Sequence, residues 1–162
     1  MILQNSNELA EAAHNPMSGY RKSHARVSVA IAPRWAELRR LLRRVDEFAS
    51  AHQLPAQAWY CTRLALEEIV TNVLKYARPQ GPGHAIIVQL ALNEHAVTLR
   101  IEDEGAPFNP LLHVHDRRGA QAQDKAKGGQ GLLLVKNLMD TFTYRRYRQK
   151  NIVTLQKNLD RN

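Results

Sequence analysis

Two apolar runs, Ala85 to Leu92 and Ala96 to Glu102, are separated only by Asn93-Glu94-His95. Parallel pairing needs a crossover of about a dozen residues, so these runs can pair with each other only as an antiparallel hairpin. Ahead of the hairpin stands the breaker cluster Arg78-Pro79-Gln80-Gly81-Pro82-Gly83, which stops a helix that follows Leu54-Pro55 and runs to about Ala77. Earlier still, Ala25, Val27, Val29 and Ile31 alternate between His24 and Ala32 in the pattern of a half-buried strand ending at Pro33. Pro33 opens a helix to His52 in which Trp35, Leu38, Leu42, Val45 and Phe48 recur at threes and fours. Trp35, Leu42 and Phe48 are expected to face the core. A short helix from Gly131 to Asp140 and two strands, Thr141 to Arg148 and Asn151 to Lys157 around a turn at Gln149-Lys150, close the chain. The fold class is α+β: a two-layer α/β sandwich, with helices on one face of a mixed, mostly antiparallel sheet.

At 162 residues this is one domain, expected over 23–162, preceded by a flexible N-terminal arm over 1–22. The polar, weakly patterned stretch from Gly105 to Gly129 reads as a functional lid over about 106–128. No apolar run approaches the roughly 18 residues of a membrane span, and residues 1–21 lack the apolar centre of a secretory signal, so a cytoplasmic protein without a membrane partner is expected. The lone Cys61 permits no intramolecular disulfide and reads as a buried packing residue. A net charge of +8 favours an anionic partner, which composition leaves open among nucleotide, nucleic acid and acidic protein. The arginines of Arg34–Arg44 fall at helical spacing and read as the solvated face of an amphipathic helix rather than a nucleic-acid helix. No direct nucleic-acid contact is expected.

Three motifs carry chemistry. In Glu68-Ile69-Val70-Thr71-Asn72, the carboxylate and the amide stand one helical turn apart and can meet the same ligand. Asn offers magnesium a hard oxygen, and a carboxylate can deprotonate a hydroxyl; the same spacing also occurs on plain solvated helices. Asp103-Glu104-Gly105 follows an apolar strand and leads into Pro107-Phe108-Asn109-Pro110. A simple turn would explain it, and so would a cleft-floor acid accepting an exocyclic amino group, which selects adenine over guanine. Gly128-Gly129-Gln130-Gly131 precedes a helix, where backbone N–H groups can receive phosphate or a hinge can flex. It is neither a Walker loop nor a dinucleotide fingerprint. His113-Val114-His115-Asp116 could ligate a metal but has no evident further ligand.

In order and spacing these motifs resemble the ATP-binding domain shared by gyrase, Hsp90, histidine kinases and MutL, the GHKL superfamily with its Bergerat-type fold. More closely they resemble the bacterial anti-sigma serine kinases of the RsbW and SpoIIAB type. Glu67 to Asn72 resembles the first box of that group, Asp103 to Pro110 the second, and Gly128 to Leu132 with Val135 and Asp140 the third. The resemblance covers about residues 24–157. It implies Glu68 as general base, Asn72 as magnesium ligand and ATP contact, Asp103 and Gly105 at adenine, Gly129 and Gly131 around the phosphates, Gly128 and Leu132 as further ATP contacts, and Lys125 and Lys127 as lid cations, Lys127 also at ATP. It further implies an ATP- and magnesium-dependent protein serine kinase and anti-sigma regulator. Its partners would be an anti-anti-sigma protein of the STAS type, a sigma factor and a second copy in a homodimer. A binding module that uses ATP without turnover fits the same pocket, and a basic nucleic-acid binder is the remaining rival. Where that family's closing strand often begins Gly-Thr, this chain reads Gln149-Lys150-Asn151-Ile152-Val153-Thr154. None of its histidines lies in a motif resembling a histidine-kinase phosphoacceptor.

Overall fold

The computed structural model describes residues 25–77, 84–114 and 130–159. Strand β1 (Ala25–Ile31) leads into helix α1 (Trp35–Ala51), then helix α2 (Ala56–Asn72), which runs on through a π-helical turn (Val73–Ala77). The hairpin strands β2 (Ile86–Leu92) and β3 (Ala96–Asp103) follow, then a 3₁₀ turn (Pro110–His113), helix α3 (Gln130–Leu138), and the strands β4 (Thr141–Tyr147) and β5 (Lys150–Asn158). The five strands form one sheet in the order β1-β2-β3-β5-β4, with every pairing antiparallel. The mixed component that the sequence left room for is not found among the described residues.

The register explains the two layers. Val29, Val88, Ile101 and Val153 stand in one cross-strand row, with Val27, Leu90, Leu99 and Leu155 in a second. Both rows point to the helix side, because side chains alternate faces at period two. There they meet Leu41 and Val45 of α1, Leu66, Ile69 and Val70 of α2, and Leu132 and Val135 of α3 in one core. The intervening row, Ser28, Gln89, Arg100 and Thr154, points the other way, and Arg100 pairs there with Glu102. Cys61 is buried and free, as expected.

Helix α1 corrects one expectation. Trp35 is 55% exposed, and the buried stripe is Leu41, Val45, Phe48 and Ala49. Trp35 is the first residue of the helix, more than a turn ahead of Leu41, where the buried stripe begins, so it stands at the helix end beyond the part that meets the sheet. Leu42 packs at the edge of the core, and the helix begins two residues after Pro33 rather than at it. The arginines behave as a solvated face: Arg40 pairs with Glu37 and Arg44 with Glu47 along the same helix.

Turn chemistry fixes the hairpins. Asn93 Oδ1 accepts the N–H groups of His95 at 2.9 Å and Ala96 at 2.8 Å, a side-chain turn that sets the β2–β3 register. The β4–β5 turn falls on Arg148-Gln149, one residue earlier than expected, and both residues have positive φ, 46° and 63°. The expected N-terminal arm, the breaker cluster 78–83, and lid residues 115–128, with Lys125 and Lys127 among them, lie outside the described residues. No described helix is long and apolar enough to cross a membrane.

Candidate functional site

Asn72 is the last residue of α2, at the point where α-helical bonding gives way to the wider π turn. Such turns recur at functional positions because they re-aim side chains without ending the helix. The backbone carbonyl of Glu68 accepts two side-chain bonds there, from Asn72 Nδ2 at 2.6 Å and from Thr71 Oγ1 at 3.0 Å. Only the NH₂ end of a carboxamide can donate to a carbonyl, so this bond leaves Asn72 Oδ1 to face a ligand. Glu68 itself is half-buried, and its carboxylate lies against Gly131 in the first turn of α3, where a Cβ would overlap it. Among the described residues no cation or N–H is bonded to that carboxylate.

Asp103 ends β3 and is 3% exposed. Its Oδ1 accepts the backbone N–H of Gly105 at 2.8 Å and Nδ2 of Asn151 at 2.9 Å. Burial pushes its carboxyl pKa above the usual carboxylate value, opposed by those two bonds and by the charge of Arg146. Gly105 is buried against the end of the π turn: a Cβ there would strike the carbonyl of Ala77, which also accepts the N–H of Ala106 at 2.8 Å. The chain after β3 is thereby pinned to the segment that follows Asn72. Phe108 packs against both Tyr76 of the π turn (5.2 Å, 20°) and His113 of the 3₁₀ turn (4.9 Å, 17°), which also face each other at 6.5 Å, so the first residues of the expected lid rest on that same segment. Asn109 Oδ1 caps the 3₁₀ turn through Leu111 N–H at 3.0 Å.

The structure thus brings Glu68, Asn72 and Gly131 together, and Asp103 with Gly105 at the next turn of the same helical rod. Leu132 is 2% exposed within the core, where it anchors α3 on the sheet, so the group it has to offer a ligand is its backbone N–H in the first turn of that helix. Lys127, Gly128 and Gly129 lie outside the described residues. His113 is engaged in the aromatic stack, and no group of three His, Cys, Asp or Glu that could hold a metal occurs among the described residues. The residue that sequence reasoning missed is Asn151, 2% exposed and bonded to Asp103. Its place at the start of the closing strand, where Gln149-Lys150-Asn151 stands instead of Gly-Thr, was the available signal.

The donor set fits a magnesium nucleotide. Asn72 Oδ1 and the Glu68 carboxylate are hard oxygens of the kind a magnesium ion that keeps most of its waters accepts, and a buried carboxylate at Asp103 suits an amino group.

Residues 31–157 match the family model of the histidine kinase-like ATPase domain, a span that holds every site residue named above. The serine/threonine-protein kinase BtrW of Bordetella bronchiseptica (strain ATCC BAA-588 / NCTC 13252 / RB50) is 26% identical over 111 residues, covering 68% of this chain and 78% of that protein. One chain in the crystal structure of the SiaB-SiaC complex from Pseudomonas aeruginosa superposes with a TM-score of 0.51 over 97% of this chain and 99% of its own. At 13% identity that likeness is one of fold.

Proposed function

Because the chain belongs to the family of histidine kinase-like ATPase domains, we propose that it is an ATP- and magnesium-dependent protein kinase acting on a serine of a partner protein. The observation that carries this reading is the half-buried Glu68 carboxylate, held against Gly131 with no cation or N–H bonded to it among the described residues, one turn ahead of an Asn72 whose Nδ2 is bonded to the Glu68 carbonyl. Bound magnesium-ATP supplies the transferable phosphoryl group and neutralises its charge. Glu68 takes the proton from the acceptor hydroxyl, a role worth about 10²–10⁴-fold in rate. Asn72 offers its Oδ1 to the metal, and Asp103 accepts the exocyclic amino group of adenine. Gly131 keeps the start of α3 bare, so that backbone N–H groups near Glu68 are open to phosphate.

The partner we propose is a STAS-type anti-anti-sigma protein, with a sigma factor sequestered when that protein is phosphorylated, in a cytoplasmic homodimeric kinase. The similarity to a serine/threonine-protein kinase and to a chain from a two-protein complex supports this choice. Titration calorimetry with magnesium-ATP and magnesium-GTP, followed by transfer assays on a candidate STAS protein with Glu68→Gln alongside, tests it. Selective ATP binding, with transfer lost in Glu68→Gln while binding survives, is the expected result. Full-rate transfer by Glu68→Gln would remove Glu68 as base. ATP binding with no transfer to any candidate would favour a regulatory binding module instead.

A further inference from the structure

We infer that Asn151 is the residue that positions Asp103 for the nucleotide base and ties it to the backbone that follows β3. The inference rests on reading Asp103 as the adenine contact.

Asn151 and Asp103 stand directly opposite each other at the paired ends of β5 and β3. Asn151 Oδ1 accepts from Tyr144 Oη at 2.9 Å, from the Arg146 guanidinium at 2.8 Å and from Phe108 N–H at 3.3 Å. A guanidinium and a backbone N–H can only donate, so the amide oxygen must face them and the NH₂ group must face the other way. Both of its hydrogens are used, one on Asp103 Oδ1 at 2.9 Å and one on the carbonyl of Ala106 at 2.9 Å. Arg146 also donates to the carbonyl of Gly105 at 3.1 Å. One buried side chain therefore holds the carboxylate and, directly or through Arg146, the backbone at 105, 106 and 108.

The chemical consequence falls on Asp103. Its Oδ1 is filled by Asn151 and by Gly105 N–H, and among the described residues Oδ2 takes no bond. One oxygen is thus aimed, with its rotation blocked by the other. An acceptor so fixed takes an amino N–H and repels a ring carbonyl, which separates a 6-aminopurine from a 6-oxopurine. A hydroxyl at position 151 could supply only one of the two donated bonds. The charged and titratable groups around this carboxylate are Arg146 from β4, Lys150 from β5, Glu102 and Glu104 on either side of it, Arg100 bound to Glu102, and the His84 imidazole beside Glu104. Lys150 pairs with Glu104, and the side chains that favour the Asp103 anion are Asn151 and Arg146.

Three variants test the inference. Asn151→Ala should lower the ATP-over-GTP affinity ratio by about tenfold or more, the scale of a lost bond to a charged group. Asn151→Asp, nearly the same shape, sets a second carboxylate against Asp103, so the inflection of ATP affinity against pH should move upward from its wild-type position. Tyr144→Phe removes one donor to Asn151 Oδ1 on a half-buried strand and should shift the ratio in the same direction by less. It also keeps the test alive if the buried variants do not fold. A folded Asn151→Ala with the wild-type nucleotide ratio, or an Asn151→Asp with the wild-type pH profile, would overturn the inference. So would an unchanged ratio in Tyr144→Phe when neither Asn151 variant folds. Wild-type protein that binds no ATP would instead overturn the reading on which it rests.

Discussion

The carboxylate of Glu68 occupies the space that a Cβ on Gly131 would fill. Two helices, α2 and α3, are thereby brought together at the one place where a reactive side chain needs room, and the glycine supplies it. The obstacle to a larger residue is the far end of a flexible side chain, which can swing away. Gly131→Ala is therefore expected to fold normally, with a melting temperature within a few degrees of wild type, while phosphoryl transfer falls by about 10²-fold through misplacement of the base. Single-turnover kinetics beside a thermal melt separate the two effects. A rate unchanged by the substitution would show that the position of Glu68 does not limit transfer.

Gly105 presents the opposite case. The atom that a Cβ would strike there is the backbone carbonyl of Ala77, which is already bonded to Ala106 N–H and cannot move without breaking that bond. Gly105→Ala should cost about 1–3 kcal/mol by overpacking, read as a lower denaturant midpoint at constant slope. A loss of nucleotide affinity should accompany it, since the same contact sets Asp103 on the end of the helical rod.

Most of the architecture was legible in the sequence because strong local patterns determined it. The breaker cluster at 78–83 and the three-residue turn at 93–95 left the β2–β3 hairpin no alternative, and Asn93 closes it with its own side chain. Glu68, Asn72 and Asp103 stood out in the sequence as candidates, because an acid and an amide one turn apart, an acid at a strand end and a glycine run before a helix occur in one chain. Trp35 was misplaced because several periodic residues on α1 compete for one stripe, and only the sheet beneath decides which are buried. Asn151 was missed for a related reason. Its bonding partners at 103, 106, 108, 144 and 146 converge only once β3, β4 and β5 pair, and no local pattern announces a polar hub built from three strands.

The β4–β5 turn is built from residues ill suited to it. Arg148 and Gln149 both take left-handed φ values, the signature of a tight two-residue hairpin turn that favours Asn-Gly. Arg148 has some compensation, with its guanidinium 5.2 Å from the ring centroid of Tyr147, whereas among the described residues no contact of that kind holds Gln149. Gln149→Gly should therefore stabilise the protein by about 1 kcal/mol through relief of the left-handed strain. Denaturant unfolding measures it, and a destabilised variant would indicate that the Gln149 side chain has a role beyond the turn.

Acid should act on the fold and on the ligand with opposite signs. Burial raises the pKa of Asp103 in the folded protein, so the native state takes up this proton at a pH where the unfolded chain is still ionised. The stabilisation from that proton is complete below the unfolded-chain pKa and is lost as pH rises through the higher folded value. Across that same window ATP affinity should rise, because the carboxylate that accepts the adenine amino group is being formed. Stability and affinity measured against pH should therefore cross, one falling as the other climbs. Asp103→Asn, which cannot ionise, should flatten both contributions and lose the preference for ATP over GTP. If unfolding and calorimetric titrations of wild type and variant gave parallel curves through this window, the Asp103 proton would not be the one that couples the fold to its nucleotide.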